Sequence, residues 1–331
     1  RQSLTGTWVV EGLDASRLTA TLANRKGDTM ELKLTADGIL RGNYNGALLL
    51  GRAFDTGATS VYQGYYTAAL PARVLSTASA AIDNRPEGYG YLALTVRTKG
   101  RVKYAGQLAD GQRLNGTSSL MVFNGAEMRA MGYDVAGNSS FALFPLYKAL
   151  YGRRGHAAAM VWIEALNPAV VDDNLVWIEN TEWSYPGKSA RMTEDGFLAA
   201  FEWEPMLAVP VFGRAHICGA FFVKRQDFTV PYNGVMFHAA GQTLPVTVTP
   251  KALSLEKENG LSAKLKASNS KGLLSGSFKQ EDPATGRATK FKFKGVLVNL
   301  QGAGSGYGAY QEMDPAADNY RLKRSKAVVI D

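Results

Sequence analysis

Residues 88–123, GYGYLALTVRTKGRVKYAGQLADGQRLNGTSSLMVF, alternate apolar and polar side chains through three runs joined at Lys99-Gly100 and Asp110-Gly111. In the first run Leu92, Leu94 and Val96 fall on one side and Tyr91, Ala93, Thr95 and Arg97 on the other. A period of two is what a half-buried strand requires, because successive side chains point to opposite faces of a sheet. Asp-Gly between two such runs is a strong hairpin signal, since the turn residues must tolerate positive φ. The stretch predicts an antiparallel meander.

The same plan recurs. Residues 32–44 resemble residues 265–278, and the central copy covers 96–108. Each copy has a turn glycine (Gly38, Gly272, Gly100) and a second glycine in the following strand (Gly42, Gly276, Gly106). A glycine inside a strand beside an aromatic suits a curled sheet, where no Cβ obstructs the bend and a ring covers the gap. The chain is therefore expected to be all-β, with antiparallel meanders forming two or three barrel-like units. Further strands are expected at 4–10, 17–23, 29–35, 38–44, 60–70, 139–143, 156–164, 174–179, 217–223, 234–238 and 243–248. Residues 71–86 read as a long connection and 145–151 as a rare helical turn. The expected units are residues 1–76, 77–215 with a Trp-rich segment, and 216–331 with a basic tail. Gly6-Thr7-Trp8 is similar to the opening GxW of lipocalin-like barrels, and fits equally a tryptophan closing any barrel end.

Composition narrows the functional classes. With 46% hydrophobic and 20% charged residues, the 331-residue chain can bury several cores and is not of the disordered class. One cysteine, Cys218, permits no internal disulfide. No run approaches 18 apolar residues, so no transmembrane helix is expected. The chain opens on Arg1 rather than Met, as expected of a piece cut from something longer. Of the net charge of +8, the last quarter carries +6, with 14 Lys and Arg against 8 Asp and Glu in residues 251–331. Lys290, Lys292 and Lys294 alternate with Phe291 and Phe293, which predicts lysines facing solvent and rings facing a core. A nucleic-acid partner is not expected.

No catalytic motif stands out. His156, His216 and His238 are isolated, without the converging spacing zinc needs. The glycine-rich run at 302–308 lacks the Lys-Ser/Thr end of a phosphate cradle. No metal or cofactor is expected. The most suggestive cluster is a belt of tryptophans with nearby carboxylates: Trp162 with Glu164, Trp177 with Glu179, Glu182 with Trp183, and Trp203. Rings beside hydrogen-bond acceptors suit a sugar-binding surface, and paired carboxylates suit a glycosidase. Burial competes with both readings, because a buried Trp covers roughly 150–250 Å², about 4–6 kcal/mol at 25 cal/mol per Å².

The chain also resembles a known family. Gly88-Tyr89-Gly90-Tyr91, Leu108-Ala109-Asp110-Gly111, Phe144-Pro145-Leu146-Tyr147-Lys148-Ala149-Leu150-Tyr151-Gly152 and Gly155 with Trp162 occur in order. They are followed by Gly276-Ser277-Phe278, Phe293-Lys294-Gly295-Val296-Leu297 and Gly304-Ser305-Gly306-Tyr307. This set is similar to the β-rich C-terminal module at the end of large bacterial secreted or cell-surface proteins. The resemblance spans most of residues 30–310; residues 184–240 and the tail after Tyr310 depart from it. It implies an extracellular, non-enzymatic structural or adhesive part. Its partners would be other surface proteins or polysaccharide, and a homo-oligomer fits as well. A carbohydrate-binding module is the alternative.

Overall fold

The alternation in 88–123 is realised strand by strand. The computed structural model describes residues 4–11, 17–36, 38–45, 47–52, 57–71, 88–130, 133, 135, 139–153, 155–184, 191–192, 198–199, 217–281, 286–300, 302–313 and 323–331. Among the described residues strand accounts for 65% and helix for 7%, against about one third helix in an average globular protein, so the fold is all-β. It divides into two units, 1–58 and 59–331.

The first unit is a five-stranded meander of β1 (Thr5–Glu11), β2 (Arg17–Ala23), β3 (Thr29–Thr35), β4 (Ile39–Tyr44) and β5 (Ala47–Arg52), paired in chain order. Asn24 builds the β2–β3 turn, its Oδ1 accepting from the N–H groups of Lys26 (2.8 Å) and Asp28 (3.0 Å). The Asn24 and Asn45 amides donate to the Asp28 carboxylate and hold it below the usual carboxylate range.

The second unit holds two nearly closed barrels. The first contains β6 (Gly64–Pro71), β7 (Tyr89–Val96), β8 (Arg101–Gln107), β9 (Arg113–Ser119), β10 (Met121–Asn124), β11 (Ser140–Leu150), β12 (Gly155–Ala165), β13 (Leu175–Ser184) and β16 (Ile217–Phe221). A short pair, β14 (Arg191–Met192) and β15 (Leu198–Ala199), stands apart from this sheet. The strand order is β10-β11-β12-β13-β16-β6-β7-β8-β9. Its two ends, β9 and β10, are consecutive in the chain, one pairing with β8 and the other with β11. The sheet therefore curls until its ends meet at Leu120, whose N–H donates to the Gly100 carbonyl at 2.9 Å. Leu92, Leu94, Val96, Val102, Tyr104, Phe144, Val161 and Ile163 fill the interior. At Lys99-Gly100 both residues take positive φ (63° and 62°). At Asp110-Gly111 only Gly111 does (89°), and the Asp110 carboxylate instead accepts from the Gln112 N–H at 2.9 Å.

The second barrel contains β17 (Met236–Ala239), β18 (Gln242–Thr249), β19 (Ala252–Leu255), β20 (Lys264–Ser268), β21 (Leu273–Glu281), β22 (Ala288–Leu300), β23 (Ala303–Met313) and β24 (Lys323–Ile330). The order is β19-β18-β17-β24-β23-β22-β21-β20, again with ends consecutive in the chain. The connection between those ends is tied by Asn259, which bonds Ala263 through both its amide atoms (3.1 and 2.7 Å). Phe237, Phe278, Phe293, Tyr310, Val328 and Ile330 form the core. The repeated glycines obey one rule. Gly42, Gly106 and Gly276 lie opposite Leu32, Leu92 and Leu265. A Cβ at any of them would collide with the carbonyl oxygen just before that leucine.

The barrels share a buried seam. The Thr67 hydroxyl of β6 donates to the Leu297 carbonyl of β22 at 2.6 Å, and the Tyr65 hydroxyl to the Lys271 carbonyl, between β20 and β21, at 2.8 Å. Ala69, Val296 and Val298 are buried between them, with Tyr89 and Tyr307 packed alongside. The Ser325 hydroxyl donates to the Ala109 carbonyl at 2.8 Å.

Several boundaries differ from those expected. β6 belongs to the central sheet because it pairs with β7 and β16, so the first unit ends near 58 rather than 76. β16 lies between β13 and β6, which places residues 217–221 in the central barrel rather than the C-terminal one. Residues 145–150 are strand, not a helical turn. Beyond Leu143 the ladder to β10 has ended, so Pro145 is paired on one side only, with Met160 of β12, as a strand proline usually is. The basic tail supplies β24, a strand paired on both sides.

Candidate functional site

On β12, Val161 and Ile163 point into the barrel, so Trp162 and Glu164 share its outer face. The register sets Trp177 of β13 directly opposite Trp162. The structure thus brings these three side by side. They do not form an exposed platform, however, because Trp162 is 0% exposed and Glu164 1%. The Trp177 Nε1 donates to Glu164 Oε2 at 3.1 Å. Tyr133 sets its ring edge-on against Trp162 at 4.6 Å, and Phe141 does so at 6.3 Å. Glu179 and Glu182 lie in β13 opposite Met160 and Ala158, and Trp183 opposite Ala157. Their side chains, and Trp203 and His216 entirely, lie outside the described residues.

The cover over Trp162 was missed in the sequence. Helix α1 (Gly125–Ala130) follows β10 and begins with a reciprocal cap. The Glu127 N–H donates to Asn124 Oδ1 (2.9 Å), and the Asn124 N–H to Glu127 Oε2 (2.8 Å). Asn124-x-x-Glu127 is the readable signal for such a start. The Tyr133 N–H then bonds the Met128 carbonyl at 3.1 Å, which fixes the ring's approach.

Further along, on β11 and β12, the outer face opens. Tyr147 is 63% exposed, and its ring stacks on His156 with centroids 5.8 Å apart. His238 is occupied elsewhere, bonding Asp331 (2.7 Å) and the Thr243 hydroxyl (3.1 Å). Among the described residues no group of His, Cys, Asp or Glu is placed to hold a metal ion. The glycine-rich run at 302–308 forms strand β23, with Gly304 against the Tyr232 ring, and makes no phosphate loop.

In the second barrel the alternation of β22 divides as the sequence predicts. Phe293 is buried and Phe291 half-buried, while Lys290, Lys292 and Lys294 are exposed. The Phe293 ring packs against Phe237 (5.4 Å) and Phe278 (6.4 Å). No protein-family model, curated protein or solved structure matches the chain.

Proposed function

We propose that the chain is a non-catalytic extracellular structural and adhesion module of a bacterial surface or secreted protein. The seam supports this reading most directly. Two barrels with side-chain-filled interiors are fused through buried Ala69, Val296 and Val298 into one body that can hold its outer faces in fixed relation. A glycosidase needs two carboxylates flanking an open cleft. Glu164, closed in against Trp177, does not supply one. The test is retention of the purified chain on bacterial envelope material in a sedimentation assay. Recovery of all the protein in the supernatant would sink the proposal.

The alternative, a carbohydrate-binding module, is favoured by the Tyr147–His156 stack, with Tyr147 exposed, rather than by the buried Trp162 and Trp177. An aromatic face open to solvent is what a sugar ring packs on. Tyr147→Ala should then abolish retention on a neutral polysaccharide while leaving the melting temperature within about 2 °C, as expected of a surface substitution. Unchanged retention would remove this site from the alternative.

A further inference from the structure

The three strands at one edge of the second barrel's ladder carry a single-sign lattice on their outer face. The inner positions are Leu265, Ala267, Leu274, Phe278 and Phe293, all packed in the core. On the other side, Lys264 lies opposite Ser277 and Ser277 opposite Lys292. One row along, Lys266 lies opposite Ser275 and Ser275 opposite Lys294. A third row sets Lys279 directly opposite Lys290. All six lysines are exposed, and among the described residues none is in an ion pair. With strands ~4.8 Å apart and same-face residues ~6.7 Å apart, six ammonium groups occupy roughly 10 by 14 Å.

Two ordinary explanations cover only part of this face. Lysines that block aggregation belong on open strand edges. Lys294 lies between Ser275 and Ala309, paired on both sides, so it guards no edge; Lys279, Lys290 and Lys292 lie where the β21–β22 pair extends beyond β20 and β23. Solubility is served by interspersed charges of both signs, whereas like charges directly opposite destabilise a sheet. Among the described residues of these three strands Glu281 is the acidic one, opposite Ala288 and one row beyond the Lys279–Lys290 pair.

We infer that this face binds an acidic polysaccharide, a chain bearing carboxylate or sulfate groups on successive sugars. The inference rests on the adhesion reading above and names its ligand class. Ammonium groups are register-tolerant point charges, and the serines between them offer hydroxyls to a sugar chain. Nucleic acid is the less suitable polyanion. A single-strand site needs aromatic platforms for the bases, and the rings of β22 face the core. A duplex site needs an element that enters a groove, and a barrel wall presents none.

The experiment measures affinity of the full chain for polygalacturonate, chondroitin sulfate, neutral dextran, and single- and double-stranded 30-mer DNA at about 50 and 200 mM salt. Binding to either acidic polysaccharide is expected at the lower salt, weaker by about tenfold or more at the higher. The Lys290→Gln/Lys292→Gln/Lys294→Gln variant should lose about tenfold or more, and the three matching Arg substitutions should retain binding. A control carrying Lys26→Gln, Lys33→Gln and Lys251→Gln should bind as wild type. Absence of binding to both acidic polymers, equal loss in the control, or tighter binding to DNA than to either polysaccharide would overturn the inference. Envelope retention separates the two proposals. A Gln variant retained on envelope as well as wild type removes the lysine face and leaves adhesion standing. Polygalacturonate binding without envelope retention does the reverse.

Discussion

The indole of Trp177 donates to the Glu164 carboxylate at 3.1 Å on a face from which water is excluded. Two residues that sequence spacing offers as a sugar site are thereby joined as a structural pair. Trp177→Phe should destabilise the second unit by about 1–3 kcal/mol, because it removes a donor from a buried acceptor. Trp162→Ala should cost about 3–5 kcal/mol. Denaturant titration checks both, and a Trp162→Ala variant of wild-type stability would contradict the buried placement.

The seam makes a prediction of its own. Thr67→Val keeps the side chain's shape but removes the hydroxyl that bonds Leu297. It should cost about 1–3 kcal/mol, the range for a buried acceptor left without its partner. Calorimetry of wild type should show the two barrels melting in one transition. Separate transitions for the two barrels would show that the seam does not couple them.

The aromatic core of the second barrel sets a third. Phe293→Ala should destabilise by about 3–5 kcal/mol and Lys292→Ala by less than about 0.5, in urea titrations of each. Gly276→Ala should cost about 1–3 kcal/mol even though it adds one methyl, since that methyl meets the Lys264 carbonyl and the Phe293 ring. Comparable losses in the Lys and Phe variants would break the inside–outside assignment.

At one end of the first barrel, phenols form a chain. The Tyr62 hydroxyl donates to Ser140 Oγ (2.7 Å), the Tyr66 hydroxyl to the Tyr62 carbonyl (2.9 Å), and the Asn174 amide to the Tyr66 oxygen (3.0 Å). Burial pushes Tyr62, Tyr66 and Tyr232 well up from the ordinary phenol value, and pushes Tyr65 up to about 12. A raised folded value means that the neutral form is favoured in the fold. This stability is therefore complete below about pH 10, the unfolded value, and is lost as pH rises from there. Phenolate absorbance should show these tyrosines ionising together with unfolding. Their ionisation at about pH 10 in a still-folded chain would contradict the burial.

Local patterns were the readable part of this fold. Alternation places Leu92, Leu94 and Val96 inside β7 because neighbouring side chains must take opposite faces. The glycine echo is readable because each strand glycine answers the same close approach of a partner carbonyl. Tertiary decisions were not readable. Pro145 suggests a break until its unpaired flank is seen, and Lys323–Ile330 reads as a tail until β17 and β23 pair with it and Val328 and Ile330 meet the core. Trp162 reads as core or as platform in the sequence, because its exposure is set by Tyr133, on a separate segment of the chain.

The position of β24 also governs when the second barrel can form. β17 and β23 pair with it on opposite sides, and Met236 and Asp331 exchange both backbone hydrogen bonds (2.8 and 3.2 Å). During synthesis, then, Met236–Ala239 emerges from the ribosome long before the strand that completes its pairing. Until residues 323–331 follow, two strand edges stand open to any other extended chain, and the ring of hydrogen bonds is incomplete. Nascent chains halted before residue 323 should accordingly remain protease-sensitive in the second barrel, and those extended past 331 should become resistant. Closure thus waits for residues 323–331, and the newly made chain depends until then on whatever in the cell shields exposed strands.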